Sequence, residues 1–321
     1  MTGSKIRVAV IGAGAFGRHH ARVLHELPSA ELVAVADINL ARAQSVAAPL
    51  GAQAVADHRE LFGRIDAATL AVPTMLHAEI GVDLLAHGID LLVEKPIAAD
   101  LASADRLLAA AGQHCRILQV GHLERFNPAV EAASAMARLP LFFEVHRMSV
   151  FTPRSLDVDV VLDLMIHDID IVLSLVESRI LQIHAVGLPV LSAQADIAHV
   201  RLQFENGCVA NLTASRVSTE RIRKLRFFQP RQYISVDYSR QDGAIFSVDT
   251  ANRIGFQPLV VERAEPLARE MAAFVSAVQT RTVPRVTGDD GRNALAVAIK
   301  IREEMDAHAR VVAATIAGQP V

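Results

Sequence analysis

A chain of 321 residues exceeds one average domain and suits two, and its 51% hydrophobic and 21% charged content excludes wholesale disorder. Thirty-two Lys and Arg against 35 Asp and Glu leave a net charge of -3, so no global basic field marks it for nucleic acid or an anionic membrane. Two cysteines, Cys115 and Cys208, exclude a disulfide framework and point to a reducing cytosol. The apolar run 6–11 is interrupted at once by Gly12, which leaves no room for a signal h-region. The longest stretch free of Asp, Glu, Lys and Arg, residues 180–195, is too short to span a bilayer and contains Gly187 and Pro189. A soluble, cytoplasmic protein without membrane insertion is expected.

Residues 6–11, 32–36, 67–72, 91–93 and 117–120 read as buried strands rich in Val, Ile and Leu. Amphipathic helical stretches at 16–27, 74–87 and 101–113 alternate with them. That alternation predicts an α/β domain over residues 1–122, a doubly wound parallel sheet with helices on both faces. After His122 the pattern changes. Asn127-Pro128 reads as an N-cap followed by proline, opening a helix over 129–138. Strands are predicted at 141–150, 180–186, 199–204, 208–214, 225–228 and 233–238, with a helix at 162–176 and a hairpin turn at Asn206-Gly207. Two helices close the chain; Leu267, Met271, Phe274, Val275 and Val278 share a face of the first, and Leu295, Ala298, Ile299 and Met305 of the second. Residues 123–321 are therefore expected to form an α+β domain with an open, mostly antiparallel sheet.

Gly12-Ala13-Gly14-Ala15-Phe16-Gly17 follows the first strand and opens a helix, the context in which G-x-G-x-x-G binds a dinucleotide. Gly12 permits the tight turn, Gly14 admits the pyrophosphate, Gly17 lets helix and strand approach, and the first-turn N–H groups face the phosphates. Asp37 lies twenty residues after Gly17, where a carboxylate accepts both ribose hydroxyls and repels a 2′-phosphate. The expected cofactor is NAD. The bland alternative is a packed glycine turn with Asp37 capping the next helix.

Glu94-Lys95-Pro96 follows the fifth strand at the carboxyl end, where open α/β sheets hold ligands. Asp163 and His167 stand four apart, on one helical face. Hydride transfer from an alcohol requires removal of the hydroxyl proton, a task for an imidazole oriented by a carboxylate. A lysine beside it can hold the hydroxyl and stabilise the developing alkoxide.

The order of these motifs resembles the glucose–fructose oxidoreductase/inositol dehydrogenase (Gfo/Idh/MocA) family. The likeness covers essentially the whole chain, including Ala71-Val72-Pro73-Thr74 with His77 and the terminal helices from Glu265-Pro266-Leu267. It implies an NAD(P)-dependent dehydrogenase of sugars or polyols. Lys95, His167 and Asp163 would be catalytic; Gly12, Gly14, Ala15, Phe16, Gly17, Asp37, Ala71, Pro73, His77, Glu94 and Lys95 would meet the cofactor. It further implies a cis bond before Pro96 and a homodimer or homotetramer formed through the second domain's sheet. The segments 121–128 and 155–170 resemble members acting on nucleotide sugars, which implies oxidation of the 3-hydroxyl of UDP-N-acetylglucosamine to a ketone, feeding 3-amino sugar and lipid A synthesis. Other sugars, polyols or UDP-uronic acids stay open, as does a non-catalytic NAD-binding regulator. Met165 and Ile166 stand where many members carry glycine, so an earlier helix start is expected.

Arg125, Asn127, Arg154 and Arg216 are candidate substrate contacts; capping and linker structure compete at the first two. Arg216, Arg221, Arg223, Lys224 and Arg226 could bind a diphosphate, but a solvated sheet edge is the preferred reading. His19-His20 are read as helix packing, Asp168 and Asp170 as capping or ion-paired, and the two cysteines as inert in apolar, strand-like settings. No metal site is expected, because no second cluster has ligand spacing.

Overall fold

Strands apolar on both sides must be covered on both faces, and the N-terminal half meets that requirement with alternating helices. The computed structural model describes residues 4–152 and 158–318. It places β1 (Ile6–Ile11), β2 (Ala30–Ala36), β3 (Gln53–Val55), β4 (Ala67–Leu70), β5 (Asp90–Glu94) and β6 (Leu118–Gly121) in one parallel sheet of order β3-β2-β1-β4-β5-β6. The strand order reverses at β1, which puts the ligand crevice beyond its carboxyl end. Helices α1 (Ala15–Glu26), α2 (Leu40–Ala47), α3 (His77–Ala86) and α4 (Leu101–Gln113) connect the strands. On one face Val8, Val10 and Leu92 meet Leu24 of α1 and Met271, Phe274 and Val275 of α7 (Pro266–Thr280). Phe274 is wholly buried, so Phe274→Ala costs about 3–5 kcal/mol through lost transfer energy and a residual cavity. On the other face Gly81 of α3 lies beneath Leu107, Leu91 and Leu70.

The sequence places α7 in the second half, yet it folds with the first. Met1–Phe126 with Ala264–Leu295 make one compact unit, and Asn127–Arg263 with Ala296–Val321 make the other. The closing helix α8 (Gly288–Ala317) begins in the first unit, where Gly291 and Gly288 pack against Val120 and Leu118.

The second unit carries α5 (Pro128–Ser134), α6 (Ile166–Val176) and an eight-stranded sheet. The strands are β7 (Phe142–Met148), β8 (Ile180–Leu188), β9 (Ile197–Phe204), β10 (Val209–Ser215), β11 (Ile222–Gln229), β12 (Gln232–Asp237), β13 (Asp242–Val248) and β14 (Ile254–Pro258). Their order is β14-β13-β12-β11-β7-β10-β9-β8, antiparallel except for β7 with β10. Strict alternation buries Phe143, Val145, Leu212 and Phe227 on one face. The opposite face aligns Phe142, Phe228, Tyr233, Phe246 and Phe256 in one cross-strand row, with successive centroids 4.7–5.7 Å apart. The Asn206-Gly207 turn forms as expected, with Gly207 at φ +86° between β9 and β10.

Three expectations are corrected. The basic run does not line a sheet edge: β11, which carries Arg223, Lys224 and Arg226, pairs with β7 on one side and β12 on the other. Arg226 lies 3.5 Å from Glu144 on the neighbouring strand. Cys115 is exposed in the turn after α4 at φ +51°, not in a strand, whereas Cys208 is buried and its thiol is pushed up to about 11 by burial. Strands β13 and β14 were not anticipated, since polar residues and Gly243 and Gly255 dilute their alternation. No helix among the described residues is long and apolar enough to cross a membrane, and none of their His, Cys, Asp and Glu side chains group as a metal site.

Candidate active site

The end of β1 is shaped by close backbone approach. Gly12 has φ +100°, and a Cβ there would stand 2.5 Å from the Ala71 carbonyl oxygen at the end of β4. A Cβ on Gly17 would fall 1.7 Å from the Gly12 oxygen, so only glycine lets α1 start where it does. Gly14 faces open space, and as N-cap of α1 it offers no side chain to the first-turn N–H groups. No acid occupies that first turn, and Ala15 and Phe16 are exposed. An uncapped, acid-free N-terminus with room above Gly14 fits a pyrophosphate.

Asp37 follows β2 and is buried, with Oδ2 accepting from Ala13 N at 2.8 Å and Oδ1 from Asn39 N at 2.8 Å. It thus ties the glycine loop to the β2 end. Arg42, on α2, stands 3.6 Å from its Oδ2 and is half exposed. These residues fit a dinucleotide: Gly12–Gly17 would hold the diphosphate and Asp37 the adenosine ribose.

Two loops on the opposite side of the switch point are braced together. His77 is buried; its Nδ1 lies 3.0 Å from the Pro96 carbonyl and its Nε2 3.0 Å from that of Val72. One imidazole therefore spans the loop after β4 and the loop after β5. Burial lowers its pKa, against the raising effect of the two carbonyls and of Glu94. Pro73 is exposed and opens the short turn Thr74–Leu76. The Lys95–Pro96 bond is cis, as the resemblance implies.

Glu94 ends β5, its Oε2 accepting from Lys95 N at 3.2 Å and its Oε1 lying 3.0 Å from His20 Nε2. Burial pushes the Glu94 carboxyl up, but the His20 hydrogen bond and the charges of His20 and Lys95 outweigh this and hold it below its ordinary value. His20, read from sequence as helix packing, is a partner of the Glu-Lys-Pro segment. Its signal was its place on the inner face of α1, one turn after Gly17.

In the second unit, Val161–Met165 form a π-helical turn ahead of α6, with Ile166 N–H bonding to the Val161 carbonyl. The helical run thus starts before Met165 and Ile166, as expected from the missing glycines. Asp163 sits in that wider turn and His167 in the first turn of α6, both half-buried. π-turns recur at functional sites because they re-aim side chains. Asp159 anchors the turn by accepting from Val161 N at 2.9 Å and Leu162 N at 3.1 Å. Asp168 forms a bidentate pair with Arg147 of β7, Nε to Oδ2 at 2.7 Å and Nη2 to Oδ1 at 2.8 Å.

The remaining candidates fall differently. Asn127 caps α5, accepting from Ala129 N at 3.1 Å, while its Nδ2 donates to the Tyr238 carbonyl at 3.1 Å. Arg125 is half-buried in the turn Leu123–Phe126. Arg216 is buried against Asp196, 3.7 Å away, and donates to the Val158 carbonyl. Arg154 lies outside the described residues. Lys95 belongs to the first unit, and Asp163 and His167 to the second.

Two family models match the chain in succession. Residues 6–122 match the model of an oxidoreductase family with an NAD-binding Rossmann fold, and residues 130–234 match the GFO/IDH/MocA C-terminal domain. UDP-N-acetylglucosamine 3-dehydrogenase of Acidithiobacillus ferrooxidans is 33% identical over 308 residues, covering 94% of this chain and 98% of that protein. A crystal form of that enzyme superposes with a TM-score of 0.90 over 94% of this chain and 98% of its own. Inositol 2-dehydrogenase of an Arthrobacter species is 32% identical over 223 residues, covering 64% of this chain and 66% of that protein.

Proposed function

The chain belongs to the Gfo/Idh/MocA family of NAD(P)-dependent sugar dehydrogenases, and from that premise we propose that it oxidises the 3-hydroxyl of UDP-N-acetylglucosamine to a ketone, with NAD as cofactor. The observation that carries the substrate is the extent of likeness: it spans 94% of the chain for the nucleotide-sugar enzyme and 64% for the inositol enzyme. The product would suit an aminotransferase that installs a 3-amino group, as lipid A synthesis uses in some organisms.

The bound dinucleotide supplies the hydride acceptor. Gly12, Gly14, Ala15, Phe16 and Gly17 hold its diphosphate, Asp37 its ribose, and Ala71, Pro73, His77 and Glu94 shape the loops around it. His167 takes the proton from the reacting hydroxyl, Asp163 orients the imidazole, and Lys95 holds the hydroxyl and favours the alkoxide. Arg125, Asn127, Arg154 and Arg216 are the proposed substrate contacts; the observed bonds give Asn127 and Arg216 a bracing task as well. Residues 1–122 serve the cofactor. Residues 123–321 serve substrate and association, with 264–295 folded into the first unit. The aromatic row on the sheet's second face supports association of copies through that sheet, and the reaction is placed in the cytoplasm.

One observation favours a second reading of the cofactor. A cleft of about 440 Å³ opens beside Ala13 and is lined by Arg18, His19, Arg22 and Arg42, groups that suit a 2′-phosphate. Asp37 argues for NAD, and the ratio of NAD to NADP dissociation constants decides it.

The activity test is absorbance at the NADH band with UDP-N-acetylglucosamine, free N-acetylglucosamine, a UDP-linked uronic acid and myo-inositol. A glutamate-dependent aminotransferase is added to draw the equilibrium forward. Signal with UDP-N-acetylglucosamine alone is expected. Signal with an unphosphorylated sugar alone overturns the substrate but keeps the chemistry; silence with tight NAD binding overturns the enzyme.

A further inference from the structure

Beneath α7 the first unit hides polar groups that an apolar layer has no reason to contain. The register aligns Val10, Thr69, Leu92 and Gln119 in one row across β1, β4, β5 and β6, so these side chains share a sheet face. Two residues further on, Glu94 pairs with Gly121 on that same face. A Cβ on Gly121 would stand 3.2 Å from the Glu94 carboxyl, so the glycine leaves that carboxyl its place. This is the face covered by α1 and α7.

Thr69, Gln119 and Glu270 of α7 are all wholly buried there. Neither Glu270 oxygen, neither end of the Gln119 amide, nor the Thr69 hydroxyl has a hydrogen-bond partner among the described residues. Buried polar groups left this way are satisfied by internal water. Burial, and after it the charge of Glu94, raises the proton affinity of Glu270 well above the usual carboxyl range. The elements packed against α7 bring other charged groups: His20 from α1, and Glu124 and Arg125 from the turn Leu123–Phe126. Glu94 and Lys95 lie at the end of β5, whose Leu92 shares the core cluster with Met271 and Phe274 of α7. His20 and Lys95 are already engaged with Glu94. Two carboxylates in one closed site do not both ionise; one keeps its proton.

We propose that Glu270 is a positioning residue held as the neutral acid beneath α7, donating a hydrogen bond through water toward Glu94. The donation keeps Glu94 ionised, and ionised Glu94 fixes the Lys95 backbone and the His20 ring. The proposal deepens the dehydrogenase reading, and only its kinetic arm rests on that reading.

Infrared spectroscopy of the protein alone in D2O tests the protonation state. At neutral pH the wild type should show a carboxylic-acid carbonyl band that Glu270→Gln removes; identical acid bands in both would overturn the proposal. The kinetic arm uses whichever sugar the protein oxidises. Glu270→Gln, a neutral donor of the same shape, should keep kcat near that of the wild type. Glu270→Leu, which donates nothing, should lower kcat by about tenfold with KM for NAD little changed. Equal losses in both variants would overturn the positioning role even with the band confirmed. If Glu270→Leu fails to fold, the band and the Gln variant still decide the matter. A missing sugar substrate with a confirmed band would sink the dehydrogenase reading and leave the buried acid standing.

Discussion

Two buried polar clusters, one in each unit, hold their carboxyl groups in opposite ways. In the second, Arg147 and Asp168 are both 2% exposed and joined by two short parallel bonds, and Asp196 accepts from Val190 N, Leu191 N, Ser192 N and the Ser192 hydroxyl at 2.6–2.9 Å. These charges are fixed and well partnered. In the first unit, Glu94 leans on His20 while Glu270 has no protein partner among the described residues. The difference shows two ways of fixing a site. Charge pairing beside His167 locks a helix in place; the buried acid beneath α7 instead depends on keeping its proton.

The largest effect should come from the groups these networks support. Lys95→Ala and His167→Ala should each lower kcat by about 10²–10⁴-fold, the usual worth of a group positioned to stabilise the alkoxide or to take the proton. Fluorescence titration with NADH should find affinity unchanged in His167→Ala, since the dinucleotide residues all lie in the other unit. Full turnover in either variant would remove that residue from the mechanism.

Breaking the locked pair should come next. Arg147→Met removes the bidentate partner of the buried Asp168 carboxylate and should cost about 3–5 kcal/mol in urea unfolding. Arg147→Met with Asp168→Leu should recover most of that loss. A single variant as stable as the wild type would show that the pair holds nothing. A smaller effect is expected at the cofactor's ribose: Asp37→Ala should weaken NAD by about 1.5–3 kcal/mol, as for a hydrogen bond to a charged group. NADP should weaken less, because the cleft lined by Arg18 and Arg42 remains. Calorimetry with each dinucleotide measures both.

The locked and labile regions were unequally legible in the sequence. The parallel sheet could be read strand by strand, because Val, Ile and Leu runs alternate with helical periods. The glycine loop and Asp37 could be read as well, because backbone approach permits few residues there. The Arg147–Asp168 pair could not: Arg147 lies on a strand and Asp168 on a helix, and nothing local joins them. Glu270 was hidden for a related reason. It sits among Leu267, Met271 and Phe274 on a face whose apolar members were recognised, and a charged residue there reads as solvated until α7 packs against the first unit. The π-turn left only the absent glycines as its signature, and β13 and β14 lack the clean alternation that marks a half-buried strand.

The finest test compares the two regions through pH. Burial opposes ionisation of Asp196, but the Ser192 hydroxyl and the backbone N–H groups of Leu191, Val190 and Ser192 outweigh it and hold the carboxyl far below its usual 3.8. A depressed native pKa contributes stability that is present above the unfolded value and lost as pH falls through the native one. Asp196→Asn should therefore flatten the loss of stability below about pH 3.8. Glu270 is displaced the other way, by burial first and the Glu94 charge second. A raised native pKa stabilises below the unfolded value near 4.5 and ceases to do so as pH rises toward the native value. Glu270→Gln, neutral throughout, should thus gain on the wild type as pH climbs above about 4.5. Urea midpoints across the pH range would show Asp196→Asn below the wild type at neutral pH and converging with it in acid, and Glu270→Gln matching the wild type in acid and rising above it as pH climbs. Glu270→Gln falling below the wild type at neutral pH, as Asp196→Asn does, would mean that Glu270 is ionised in the folded protein, and the contrast between the two carboxyls would collapse.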